Sequence, residues 1–184
     1  MNVPKNIKNF LKIKLKDKNL KRKDFVRDSG LPSSTLGNIN KAGYYRPTLK
    51  TIITIANYFE CSMDEVVGRN MNSSLNIGNC KFQMSDSESI SINLKNFLTA
   101  KLKKLNLNFY KLARYLGFNE HIISDLIKDN SSQKTLGSAI TIALADYFQV
   151  SLDEMVGRIV PTKNTDNGKS SEQNSNSDPD MNNL

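Results

Sequence analysis

The stretch Arg22–Lys41, RKDFVRDSGLPSSTLGNINK, decides how this chain folds. An apolar pair precedes Gly30, and a glycine there can adopt the positive φ of a helix C-terminal turn. Leu36 and Ile39 then continue an apolar stripe at helical spacing. The pattern predicts two short helices joined by a tight turn.

Small polar side chains occupy the other side of the second of these helices. They are Ser33, Ser34, Thr35 and Asn38. Hydroxyl and amide groups on the free face of a short helix, in a basic chain, indicate a nucleic-acid reader. The alternative is a polar surface helix in an ordinary helical bundle.

The net charge is +8, from 26 Lys and Arg against 18 Asp and Glu. Most of the excess lies in residues 1–70, which carry fourteen basic and six acidic side chains. Such a surface attracts polyanions, either nucleic acid or an anionic membrane. No apolar run approaches the roughly 20 residues of a spanning helix, and lysines interrupt any signal-peptide core near the N-terminus. We therefore expect a cytoplasmic protein without membrane contact.

The residues that usually carry catalysis are sparse. Cys61 and Cys80 are isolated thiols without metal-ligand spacing, which fits a reducing compartment. His121 is the single histidine, which argues against His-rich metal sites and a hydrolase triad. Glycine-rich phosphate loops and nucleophile–base pairs are absent from the sequence. We expect no enzyme activity, no metal and no cofactor.

An internal repeat organises the chain. KNFL at Lys8–Leu11 recurs at Lys95–Leu98, and ANYFECSMDEVVGR at Ala56–Arg69 recurs as ADYFQVSLDEMVGR at Ala145–Arg158. Nine of the fourteen residues in the longer segment are identical between the two occurrences. The sequence therefore predicts two copies of one fold.

Each copy is predicted to contain five helices, and the class is all-α. The first copy occupies 1–70 and the second 94–160, joined by a flexible linker at 71–93 and followed by a disordered tail at 161–184. The helix-one faces are predicted to be Ile7, Phe10, Leu11 and Leu15 in copy one, and Leu94, Phe97, Leu98, Leu102 and Leu105 in copy two. Thr48, Ser62 and Ser151 are predicted helix N-caps.

These motifs resemble the Cro/repressor (XRE) type of helix-turn-helix domain, which has the lambda-repressor-like fold. In copy one the resemblance rests on LKRKDFVRDSGLPSSTLGNINK, RPTLKTIITIANYF and CSMDEVVGR. In copy two it rests on NFYKLARYLGFNEHIISDLIK and ADYFQVSLDEMVGR. The resemblance implies that the third helix of a domain lies in the DNA major groove, while the second crosses the backbone.

The resemblance also implies the DNA-contacting positions of copy one. Arg22 takes the phosphate-binding place at the start of helix two. Ser33, Ser34 and Asn38 take base-reading places, with Thr35 beside them. Lys41, Tyr44, Tyr45 and Arg46 lie where the family's loop touches the DNA backbone. The alternatives are that the tyrosines pack over helix four and that the two cations are simply solvated.

Copy two departs from the family at the same places. Phe109 stands where copy one has Arg22, and Glu120, His121 and Asp125 take the base-reading places. Carboxylates are repelled in a phosphate-lined groove unless each accepts from a cytosine amino group. The candidate DNA contacts of copy two are Asn119, His121, Ser124 and Lys128. Whether copy two touches DNA stays open.

The leading hypothesis is a sequence-specific regulator of transcription, acting as a repressor by occupying an operator in double-stranded DNA. Either two chains pair as a homodimer, or the two copies form a pseudo-dimer within one chain. A protein-interaction or antitoxin-like module is the second hypothesis. A non-specific nucleoid or single-strand binder is the third.

Overall fold

The computed structural model describes residues 1–41, 46–70, 81–82, 87–129 and 134–160. The N-terminal half comprises α1 (Val3–Asp17), α2 (Arg22–Ser29), α3 (Ser33–Asn40), α4 (Leu49–Phe59) and α5 (Met63–Val67). The C-terminal half comprises α6 (Ser87–Lys104), α7 (Phe109–Tyr115), α8 (Ile122–Lys128), α9 (Ser138–Phe148) and α10 (Leu152–Met155). Two short strands, β1 (Lys81–Phe82) and β2 (Ile159–Val160), accompany them. The described fold is helical, as the sequence predicts.

The predicted N-caps are confirmed. The hydroxyls of Thr48 and Ser62 accept hydrogen bonds from the backbone N–H three residues ahead, at 3.2 and 3.0 Å. Ser151 begins α10 with the same bond, at 3.0 Å. Each bond satisfies a backbone donor that has no partner inside its own helix. The Glu65 carboxylate pairs with Lys14 Nζ, at 2.8 Å, and thereby ties α5 to α1.

Aromatic rings join α1, α2 and α4 into the core of the N-terminal half. Phe59 meets Phe10 edge-on, with ring centroids 5.6 Å apart, and stacks on Phe25 at 5.5 Å. Leu36 and Ile39 bury one face of α3 against the same core. The packing fixes α3 from one side and leaves its polar side free.

Helix α6 begins earlier than the predicted boundary. The linker prediction of 71–93 is wrong at its C-terminal end, because α6 starts at Ser87 and Ile90 is already buried. The serine-rich composition concealed an apolar i, i+4 spacing of Ile90 and Leu94. Leu105, predicted for the buried face, is 50% exposed because it lies just beyond the last residue of α6.

The two strands are the elements that the sequence does not predict. Strand β1 pairs antiparallel with β2, with Phe82 opposite Ile159. Two residues per strand are too few for an alternating pattern to be visible in a sequence. The Arg158 guanidinium lies over the Phe82 ring, 5.2 Å from its centroid. Residues 71–80 of the predicted linker and the predicted tail 161–184 lie outside the described residues.

Helices α5 and α10 meet through two buried carboxylates. Asp153 Oδ2 accepts from Met63 N at 2.8 Å, and Asp64 Oδ2 accepts from Leu152 N at 2.9 Å. Met63 and Leu152 are the first residues of their helices, where backbone N–H groups have no intrahelical acceptor. Each half therefore caps the closing helix of the other half.

An arginine completes each of these carboxylate sites. Arg69 donates from Nη1 to Asp64 Oδ1 and from Nε to Asp146 Oδ1, both at 2.6 Å. Arg158 donates from Nη1 to Asp153 Oδ1, and both of these side chains are almost wholly inaccessible to solvent. Burial raises the pKa of Asp153 to about 6, against the opposing effect of the Arg158 charge. The Arg158 charge thus offsets part of the cost of burying the Asp153 carboxylate.

Candidate DNA-binding surface

Helix α3 presents a small polar face to solvent. Ser33, Ser34 and Asn38 are exposed, while Leu36 and Ile39 on the opposite side are 2% and 1% accessible. Thr35, the fourth polar residue predicted for this face, is half-buried. Gly30 ends α2 with a φ of 68° and sets the turn into α3. The structure thus brings together the base-reading residues predicted for copy one.

Arg22 is the first residue of α2, the helix that precedes α3. It is exposed and lines a cavity of about 320 Å³ between α1 and α3. Lys8 and Lys12 of α1 line the same cavity, so three cations surround it. The sequence interpretation missed these two lysines as candidate contacts. Their i, i+4 spacing on α1 places them on one side of the helix and was the available indication.

The segment after α3 is described in part. Lys41 is exposed, and its backbone N–H closes α3 by donating to the carbonyls of Gly37 and Asn38, each at 3.2 Å. Arg46 is also exposed. Tyr44 and Tyr45 lie outside the described residues. Two of the four predicted backbone-contacting residues are thus available to a ligand.

The corresponding surface of the C-terminal half carries different chemistry. Phe109 begins α7, packs against the core and lies with its ring centroid 4.4 Å from that of Tyr110. Glu120 forms an ion pair with Arg114, and this hydrogen bond lowers the pKa of Glu120. His121 is exposed, with Nε2 3.5 Å from Glu120 Oε1. A carboxylate therefore stands where α3 offers serines.

The predicted DNA contacts of copy two differ in their exposure to solvent. Ser124 is 1% accessible and donates its hydroxyl to His121 O at 2.8 Å, which argues against a direct DNA contact. The exposed Asn119 accepts from His121 N at 2.9 Å and shapes the turn before α8. Lys128 is exposed and donates to the Tyr110 hydroxyl at 3.4 Å. Of the four candidates, Lys128 therefore presents an exposed positive charge to a ligand.

Comparison with known proteins places this surface in a family. The model of the Cro/C1-type HTH DNA-binding domain matches residues 10–71. An uncharacterized HTH-type transcriptional regulator of Rickettsia prowazekii (strain Madrid E) is 39% identical over 66 residues, covering 34% of this chain and 72% of that protein. The chain belongs to the family of HTH-type transcriptional regulators.

A second relative has the same degree of likeness. It is an uncharacterized HTH-type transcriptional regulator of Rickettsia conorii (strain ATCC VR-613 / Malish 7), 39% identical over 66 residues. The match covers 34% of this chain and 61% of that protein. No solved structure matches the chain. The Cro/repressor resemblance of copy one is confirmed by the match over residues 10–71, which contains α2, the turn and α3.

None of the helices in the described part of the chain is long and apolar enough to cross a membrane. Among the same residues, no group of three or more His, Cys, Asp or Glu side chains is placed to hold a metal ion.

Gly37 lies inside α3 with space around it, since a Cβ added there would meet no atom within 4 Å. We expect Gly37→Ala to raise the free energy of unfolding by about 0.5–1 kcal/mol, because alanine loses less backbone entropy in a helix. Urea denaturation followed by circular dichroism measures the change.

Gly68→Ala is the matched control for this substitution. Gly68 has a φ of 68°, and a Cβ there would lie 2.8 Å from Asn6 Nδ2. We expect a loss of about 1–2 kcal/mol from the left-handed conformation alone. A destabilised Gly37→Ala variant would show that α3 is not packed as described.

Proposed function

We propose that this protein is a sequence-specific DNA-binding regulator that represses transcription by occupying an operator, and that α3 of the N-terminal half reads the bases. The observation that carries the proposal is the exposed face of Ser33, Ser34 and Asn38 on a helix anchored by buried leucine and isoleucine. A helix of this kind fits the major groove of B-DNA. The family match over the same residues supports this assignment.

The side chains suit two kinds of DNA contact. An asparagine amide can bond adenine in a bidentate manner, and serine hydroxyls donate to or accept from several base edges. Arg22 offers a planar fork for a phosphate, and Lys41 and Arg46 extend the positive surface along the backbone. In this proposal Asn38 supplies discrimination, and the cations supply affinity and register.

We also propose that α6–α10 form a second HTH-like domain. The sequence repeat supports this, and the local geometry is in keeping with it. Gly117 has a φ of 77° between α7 and α8, as Gly30 has 68° between α2 and α3. Asn93 donates from Nδ2 to Val156 O at 3.1 Å, which parallels a bond of 2.8 Å from Asn6 in the N-terminal half.

A protein-interaction or antitoxin-like module is the second candidate function. An aromatic pair on the C-terminal half favours it. Tyr115 and Tyr147 are 77% and 38% exposed, with ring centroids 5.9 Å apart. Exposed tyrosines are typical anchors of protein interfaces. If the full-length chain shows no salt-dependent binding to any duplex, this candidate becomes the better explanation.

Arg22→Ala tests the phosphate assignment. We expect weaker binding to every duplex, with the slope of log Kd against log salt reduced by about one, since a single phosphate contact is lost. Fluorescence anisotropy at several salt concentrations measures both quantities on a DNA site selected from a random pool.

Arg27→Ala is the matched control on the same helix. Arg27 already pairs with Asp28 at 2.7 Å and lies 3.4 Å from Asp24, so its charge is balanced locally. We expect its salt slope to equal that of the wild type. Equal slopes for the Arg22 and Arg27 variants would remove Arg22 from the phosphate contacts.

A further inference from the structure

The bonds between α5 and α10 join residues that correspond in the sequence repeat. Asp64 and Asp153 are equivalent, and so are Met63 and Leu152. Each aspartate accepts from the first backbone N–H of the opposite helix, at 2.9 and 2.8 Å. Reciprocal contacts between equivalent residues are the mark of an interface with a two-fold axis.

The arginines follow the same relation. Arg69 donates to Val150 O at 2.9 Å, and Arg158 donates to Cys61 O at 3.4 Å. Cys61 corresponds to Val150 in the repeat. Both arginines thus bind a carbonyl of the opposite half, in addition to the aspartate of their own half.

One contact of the interface lacks an equivalent on the other side of the two-fold axis. Arg69 Nε donates to Asp146 Oδ1 at 2.6 Å, whereas Arg158 Nε is buried without a hydrogen-bond partner among the described residues. The residue equivalent to Asp146 is Asn57, whose Oδ1 is also buried without a partner in the described part of the chain. The two orphan atoms are the counterparts of the Arg69–Asp146 ion pair. The interface is therefore a two-fold one that has diverged on one side.

This interface is internal to one chain. Asp64, Asp153 and Arg158 are buried within a single copy of the protein. The surface with which equivalent halves pair is therefore already occupied, and a second chain cannot use it without first separating the halves.

The two halves differ on their DNA-facing surfaces. The N-terminal half exposes Arg22, Ser34 and Asn38. The C-terminal half has Phe109 packed on its core and Glu120 in an ion pair with Arg114. Its exposed Lys128 suits a phosphate better than a base edge, whereas the exposed Asp125 carboxylate is repelled by phosphates.

We propose that one chain binds one DNA duplex as an internal pseudo-dimer, and that its operator is non-palindromic because only the N-terminal half reads bases. The C-terminal half holds flanking duplex by its phosphates. This inference rests on the function proposed above. It assigns the class of DNA ligand, which is a duplex with one half-site that the protein recognises by sequence. A homodimer would instead require two half-sites in an inverted repeat.

Selection from a random duplex pool with the full-length chain tests the sequence requirement, and native mass spectrometry of the selected complex gives the stoichiometry. We expect a non-palindromic motif and one chain per duplex. Asn119→Ala combined with His121→Ala should leave the selected motif unchanged, because in this proposal the C-terminal half contacts phosphates and reads no base.

The outcomes separate this inference from the proposed function. Two chains on an inverted-repeat motif would overturn the inference and leave the DNA-binding function intact. A changed motif in the Asn119 and His121 variant would also overturn it, since the C-terminal half would then read bases. If the full-length chain selects no sequence, the proposed function itself fails.

Discussion

Asp153→Ala is expected to lower the free energy of unfolding by about 3–5 kcal/mol, because it leaves a buried charge without its partner. Arg158 is 0% accessible and forms its ion pair with Asp153. The substitution also removes the acceptor of the Met63 N–H at the start of α5. Urea denaturation at neutral pH, followed by circular dichroism, measures the loss.

Asp146→Ala is the matched control for Asp153→Ala. Asp146 also pairs with a buried arginine, Arg69, yet its own side chain is 61% exposed. Arg69 keeps Asp64 as a second carboxylate partner. We expect a loss below about 1 kcal/mol, as is usual for exposed ion pairs. An Asp153→Ala variant that loses no more than this control would show that the α5–α10 contact does not hold the halves together.

Local features of this fold are predictable from the sequence, and the contact between the halves is not. A serine before an apolar run caps a helix by accepting from a backbone N–H only three residues ahead. The caps Ser62 and Ser151 are therefore predictable from the sequence. Asp64 and Asp153 sit in first turns, where an acidic residue already has a local reason to occur. Their acceptor role joins residues about ninety positions apart, and no local pattern encodes such a pairing.

The candidate site shows the same division. Helical periodicity places Ser34 and Asn38 on the free face of α3, since Leu36 and Ile39 define the buried one. The same register holds in the second copy, where Ile123 and Leu126 are buried at the positions that correspond to Leu36 and Ile39. The repeat does not predict the start of α8 at Ile122, two residues later than α3 implies, or the hydrogen bond from the Ser124 hydroxyl to a backbone carbonyl. Serine competes for nearby backbone groups, and its choice of partner leaves no periodic pattern in a sequence.

Asn38→Ala is expected to reduce specific DNA binding by about 1–3 kcal/mol, or roughly five- to 150-fold, which is the worth of one bidentate base contact. We expect this loss of affinity for the selected DNA site and not for unrelated duplexes. Phosphate contacts govern non-specific binding, and Asn38 carries no charge. The measurement is the ratio of dissociation constants for the selected duplex and a scrambled duplex of equal length, at one salt concentration.

Asn96→Ala is the control that separates an effect on base recognition from an effect on protein stability. Asn96 is an exposed asparagine inside α6, so its replacement changes helix propensity as Asn38→Ala does. The ratio of dissociation constants should stay at the wild-type value in this variant. Because Asn38 is exposed and lies on the face opposite the buried side of α3, its removal should leave the unfolding free energy nearly unchanged. A stable Asn38→Ala variant with undiminished discrimination would mean that another residue of α3 reads the operator, and Ser34 would be the next to replace.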